Sequence, residues 1–117
     1  MQARASEEDG VHIIALEGEI DLACSPELRE ILDGYARARR PALLLDFAAV
    51  SYVDSSGLAT LVEYVRKVQP FEGKLALAAV NSRVRTILDL VRLSEIFPIY
   101  PTLAEAKKAL ASPPPGA

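Results

Sequence analysis

Apolar and polar positions follow two rhythms along this chain, and the change of rhythm marks its elements. Leu43, Leu44, Leu45 and Phe47 form an apolar run broken only by Asp46. The run is too short for a typical helix and follows Pro41, so it predicts a buried strand. Leu58, Leu61, Val62, Val65 and Val68 then recur at three- and four-residue steps, one apolar stripe along a helix. Asp54-Ser55-Ser56-Gly57 joins the two, after Val50 and Ser51-Tyr52-Val53. This hinge puts two hydroxyls and a glycine at the positive end of the helix, where backbone N–H groups lack partners.

The same reading extends both ways. Residues 2–8 are weakly patterned and allow a short edge strand, and Asp9-Gly10 is a strong hairpin signal. Residues 11–16 predict a strand with Val11, Ile13 and Ala15 on one face and His12, Ile14 and Leu16 on the other, covered on both sides. Residues 17–21 leave it. Ser25 reads as a helix N-cap, with Pro26 at the first helical position and Glu27 in the first turn. That helix offers Leu28, Ile31, Leu32 and Tyr35 to a core and ends near Arg39-Arg40-Pro41. Pro70 and Gly73 stop the central helix. Residues 74–80 predict a third buried strand through Leu75, Leu77 and Val80. Asn81 or Ser82 caps the helix after it, whose stripe is Val84, Ile87, Leu88 and Val91. Residues 97–100 make a short strand at best. Pro101-Thr102 opens a last helix with Leu103, Ala106 and Leu110, where Thr102 and Glu105 form a capping-box pattern. Residues 112–117 read as a frayed, disordered Pro-rich tail. Strands alternate with helices after the first hairpin, so the pattern predicts an α/β domain with a largely parallel sheet and right-handed crossovers.

Composition narrows the function classes. The chain has 117 residues, 50% hydrophobic and 25% charged, which suits one soluble domain. A net charge of −3 gives no broad reason to expect nucleic-acid binding. Arg37, Arg39 and Arg40 cluster where a helix C-terminus favours cations. One cysteine, Cys24, excludes an internal disulfide, and with one histidine, His12, the chain offers no usual zinc site. No stretch has the length of a membrane span and no signal peptide opens the chain, so a cytoplasmic protein without membrane insertion is expected.

Three roles are open to a serine at such a hinge. A hydrolase elbow needs G-x-S-x-G, but Val53 stands where the first glycine belongs, and the only histidine lies early on a strand. No phosphate-binding glycine loop with Lys-Ser/Thr is present either, so no catalytic residue is assigned. The plain alternative is a helix cap. Three capping-type residues stand in a row where one would serve, yet Leu58 and Ala59 occupy the positions where a capping box needs an acid. The third reading is a serine modified by another enzyme. A phosphate adds about −1.5 to −2 charge, which the helix N-terminus accepts, so its effect falls on a docked partner. Asp21 and Asp54 already make this sheet edge acidic.

Gly18-Glu19-Ile20-Asp21, Leu45-Asp46-Phe47 and Val53-Asp54-Ser55-Ser56-Gly57-Leu58, in this order, resemble the STAS-domain family, and within it the anti-sigma factor antagonists of bacteria. The likeness runs from about Val11 to Leu110. It implies a single STAS-like domain over residues 1–111, with a mixed, mostly parallel sheet of four to five strands and about four helices mainly on one face. It implies that Ser55 is phosphorylated by a partner serine kinase that is itself an anti-sigma factor. Unphosphorylated, the antagonist docks on that partner and frees the sigma factor; phosphorylated, it cannot. A PP2C-type phosphatase restores it. Asp21 lies beside the phosphoserine in the family, and Leu22, Ser25, Asp54, Ser56, Gly57 and Leu58 are expected to share the docking surface. No cofactor is implied, since any ATP belongs to the kinase. The chain departs from the family at Leu22-Ala23-Cys24-Ser25, where polar residues are common, and Cys24 reads as an incidental small residue. STAS domains also serve in lipid-transport and transporter assemblies, so a constitutive, unphosphorylated binding subunit is the alternative.

Overall fold

The computed structural model describes residues 1–111 and begins with the hairpin. Asp9 (φ 51°) and Gly10 (φ 80°) both take the left-handed conformation that a tight two-residue turn between twisted strands requires. They join β1 (Gln2–Glu8) to β2 (Val11–Ile20). The chain continues through α1 (Ser25–Arg37), β3 (Ala42–Val53), α2 (Ser55–Val68), β4 (Lys74–Ala78), α3 (Ser82–Leu90), β5 (Ile99–Tyr100) and α4 (Leu103–Ala111). Short 3-10 turns at Gln69–Phe71 and Leu93–Glu95 follow α2 and α3. The strands lie in chain order, β1-β2-β3-β4-β5; the first pair is antiparallel and the rest are parallel. This is the expected mixed α/β sheet.

The two faces of the sheet hold separate cores. On one, Ile14, Leu16, Leu43, Leu45, Phe47 and Leu77 pack against Leu28 and Leu32 of α1, Leu61 and Tyr64 of α2, and Leu88 of α3. On the other, Val11, Ile13, Leu44, Ala76 and Ala78 are covered by Ala106 of α4, flanked by Leu103 and Leu110. Three helices thus share one face and one covers the other. Leu44 and Leu45 are adjacent, fully buried and in different cores, as the alternation of a strand covered on both sides demands.

Several boundaries differ from the expectations, each for a tertiary reason. β2 does not end at Leu16: it reaches Ile20 because β3 also runs on, to Val53, and pairs with it through Glu17–Ala49, Gly18–Val50, Glu19–Tyr52 and Ile20–Val53. Register shifts interrupt this stretch, and Gly18 accommodates one with φ 99°. β4 stops at Ala78, before Val80, since Ala79 turns to φ 60°. In α2 the inward residue is Tyr64, 2% exposed, while Val62 and Val65 are half-buried at its flanks. Ile31, Tyr35 and Ile87 are likewise half-buried, and Val91, past the end of α3, is 51% exposed. α1 ends at Arg37, before the basic pair. The expected caps at Asn81 and Thr102 are present: Val84 N–H donates to Asn81 Oδ1 at 2.8 Å, and Glu105 N–H to Thr102 Oγ1 at 3.1 Å. The Pro-rich tail lies outside the described residues.

Candidate functional site

The carboxyl ends of β2 and β3 finish side by side, and the site is built where they stop. Asp54 N–H donates to Ile20 O at 3.0 Å, one last backbone bond beyond the Ile20–Val53 pair. Asp54 is the N-cap of α2. Its Oδ1 accepts from the N–H groups of Ser56 (2.9 Å) and Gly57 (3.1 Å), and the Ser56 hydroxyl donates to it at 2.5 Å. Its Oδ2 accepts from Leu22 N–H at 3.1 Å. One carboxylate therefore caps the helix and ties it to the loop after β2. The Ser56 hydroxyl, first among these donors, holds the Asp54 carboxyl below its ordinary range, with the backbone N–H groups of Gly57, Ser56 and Leu22 adding to it against a desolvation that raises it.

The loop after β2 mirrors this arrangement. Asp21 Oδ1 accepts from Ala23 N–H (3.1 Å) and Cys24 N–H (3.3 Å), a side-chain turn that starts α1. Cys24, not Ser25, occupies the cap position of α1. Ser25 is already helical and 2% exposed; its hydroxyl donates to Asp21 O at 2.7 Å and lies 2.7 Å from Ser56 Oγ. Cys24 fits beneath: its buried Sγ accepts from Asp21 N–H at 3.3 Å and lies 3.5 Å from the carbonyls of Glu19 and Asp21. This buried, hydrogen-bonded thiol locks the loop.

Gly57 is where the two halves touch. A Cβ there would come within 2.8 Å of Ile20 Cγ2 and of Val53 Cγ1, and 3.3 Å from Ile20 O. Only glycine lets the first turn of α2 sit directly on the strand ends.

The two hinge serines differ. Ser56 is half-buried, with its hydroxyl committed to Asp54 and Ser25. Ser55, the first residue of α2, is exposed and makes no side-chain hydrogen bond among the described residues. Leu22 stands beside it in the sequence-predicted group as a 75% exposed apolar side chain. The open surface is made by Asp21, Leu22, Asp54, Ser55 and Ser56. Ser25, Gly57 and Leu58 are buried, so they shape this surface from below and do not present side chains to a visitor. Their atoms join α2 to β2 and α1.

Two supporting contacts carried no signal in the sequence. Asn81 Nδ2 donates to Val50 O (3.1 Å), pinning the outer edge of β3 where β4 has ended, and Arg83 stacks 4.8 Å over the Tyr52 ring. Both contacts join positions about thirty residues apart, so no local pattern announces them. Among the described residues no group of three or more His, Cys, Asp or Glu could hold a metal ion, and no helix is long and apolar enough to cross a membrane.

This strand–hinge–helix site on a mixed five-stranded sheet is the arrangement of the STAS domain, and the chain belongs to that family: the family model matches residues 2–106. The anti-sigma-B factor antagonist of Listeria monocytogenes is 32% identical over 94 residues, 80% of this chain and 82% of that protein. The crystal structure of an anti-sigma factor antagonist from Mycobacterium paratuberculosis superposes with a TM-score of 0.86 at 28% identity, covering 95% of this chain and 94% of that one. The Bacillus protein SpoIIAA in its phosphorylated form has the same fold, with a TM-score of 0.74 at 18% identity over 93% of this chain and 99% of that one.

Proposed function

We propose that this protein is an anti-sigma factor antagonist whose docking surface is switched by phosphorylation of Ser55. Unphosphorylated, it binds an anti-sigma factor that is also a serine kinase; phosphorylated, it releases it, and a PP2C-type phosphatase resets it. In this reading it is a binding module without catalytic residues, acting in the cytoplasm, where the kinase finds ATP. The relatives' names support the partner class.

The observation that carries the choice of residue is the contrast between the two serines. A kinase must hold the acceptor hydroxyl in line with the γ-phosphate. Ser56 Oγ would first have to leave a 2.5 Å bond to Asp54 and a 2.7 Å contact with Ser25. Ser55 Oγ has nothing to leave and is exposed at the helix start. The helix N-terminus tolerates the added charge, so the fold survives. A partner pressed against Asp21, Leu22 and Asp54 does not: it meets a doubly charged group among two carboxylates.

The test is a calorimetric titration with a cognate anti-sigma kinase. Ser55→Asp is expected to weaken binding by about 1–3 kcal/mol, roughly 5- to 150-fold, as a polar contact becomes an unpaired charge. Equal affinity for wild type and Ser55→Asp would defeat the switch.

A further inference from the structure

β1 forms one edge of the sheet, and all seven of its residues are exposed. No described element pairs with its outer side. The Asp9-Gly10 turn closes with Glu8 C=O and Val11 N–H. Alternation from there turns the backbone groups of Glu8, Ser6, Arg4 and Gln2 toward β2 and those of Ala3, Ala5 and Glu7 outward. Exposed edges of this kind are templates for another strand, and proteins blunt them with proline, charged side chains, a bulge or a covering helix. β1 has no proline and no register shift against β2, and its charges, Arg4, Glu7 and Glu8, restrict which strand can add.

The charges along the edge choose the visitor. Arg4 and Glu8 lie opposite Ala15 and Val11, so both point to the face that carries α4, where Lys107 pairs with Glu8. A parallel copy in register would set Arg4 against Arg4. An antiparallel copy, related by a two-fold axis through Ser6 perpendicular to the sheet, sets Arg4 opposite the partner's Glu8 at one end and Glu8 opposite the partner's Arg4 at the other. Ala5 then meets the partner's Glu7, and these outward residues exchange about four backbone hydrogen bonds. The strand is thus complementary to itself in one direction only.

We infer that β1 is a self-association edge, through which a second copy of this chain adds antiparallel and joins the two sheets into one. One strand pair covers far less than the roughly 800 Å² per partner of a standard interface, so the dimer is weak and reversible. The hinges lie at β2 and β3, away from the edge strand, and point to opposite ends of the joined sheet, so association leaves both open.

Sedimentation equilibrium from micromolar to millimolar concentration tests this. Wild type is expected to show a reversible monomer–dimer equilibrium. Arg4→Glu alone and Glu8→Arg alone should each dimerise roughly tenfold more weakly, because each sets like charges opposite one another. A mixture of the two variants should recover the wild-type constant, since opposite charges face again in the mixed pair; a merely structural effect of either substitution would not be rescued. Ser6→Cys should cross-link to itself under mild oxidation and Gln2→Cys should not, as only the former faces its own copy. A wild type that stays monomeric throughout, or a dimer indifferent to both charge reversals, would overturn the proposal.

Discussion

Gly57→Ala probes the joint that builds the site. Three terms compete. Alanine favours a helix interior over glycine by about 0.8–1.0 kcal/mol. Burying one more methyl group adds about 0.8 kcal/mol. Against them stands the clash: the new carbon would lie 2.8 Å from both Ile20 Cγ2 and Val53 Cγ1. Both neighbours are β-branched, 1% exposed and fixed in paired strands, so neither can swing away. Overpacking of this kind costs about 1–3 kcal/mol, and two such contacts with rigid partners put it at the upper end. The favourable terms carry less than their full weight at the first helical turn and in a site without room. The net expectation is a destabilisation of about 1–2 kcal/mol, or a Tm lower by roughly 4–8 °C for a domain of this size. Urea melts give the value directly. The penalty should shrink by at least about 0.5 kcal/mol in a Val53→Ala background, where one clash is gone. A Gly57→Ala protein as stable as wild type, or a penalty untouched by Val53→Ala, would refute the reasoning.

Other consequences are open to measurement. Tyr64 is buried, and its hydroxyl has no hydrogen-bond partner among the described residues, so Tyr64→Phe should stabilise the fold by about 1 kcal/mol in urea melts. Burial pushes the Tyr64 phenol up to about 12, with Tyr35 adding to it; the unfolded chain ionises first, so this residue's share of stability holds below about pH 10 and is lost on the way to pH 12. Tyr64→Phe should flatten that alkaline loss. Asp54 has the opposite sign: its lowered pKa contributes stability above the ordinary aspartate range and loses it as pH falls through the lowered value. Asp54→Asn, which keeps the cap oxygen without the charge, should show a shallower acid melt than wild type. Ser56→Ala removes the hydroxyl shared by Asp54 and Ser25 and should cost about 1 kcal/mol while leaving Ser55 free to react.

Rhythm and punctuation made much of this fold legible. Leu43 to Leu45 fit a buried strand better than a helix, Asp9-Gly10 gave a strong hairpin signal, and Asn81 or Ser82 and Thr102 offered caps to their helices. The far half of the β2–β3 pair was hidden because Glu17, Glu19, Ala48, Ala49 and Ser51 are exposed there and carry no apolar alternation. Only the mutual pairing of two overhanging strands holds those residues extended. Tyr64 lies off the aliphatic stripe because its hydroxyl reads as polar, although the residue is 2% exposed within the core of the three-helix face. At the site, Asp54, Ser55 and Gly57 stood out as neighbours in sequence. The role of Ser25 did not, since its hydroxyl works across 31 positions, against Ser56. The same gap hid the difference between the hinge serines: adjacent and identical in the chain, they are separated only by which of them Asp54 and Ser25 hold.

The central claim turns on that difference, and site-localised mass spectrometry reads it most directly. The hinge peptide is recovered after incubation with the anti-sigma kinase and ATP, for wild type and for each serine-to-alanine variant. One phosphate on Ser55 is expected in wild type and in Ser56→Ala, with none in Ser55→Ala. Phosphate on Ser56, or undiminished labelling of Ser55→Ala, would contradict the account.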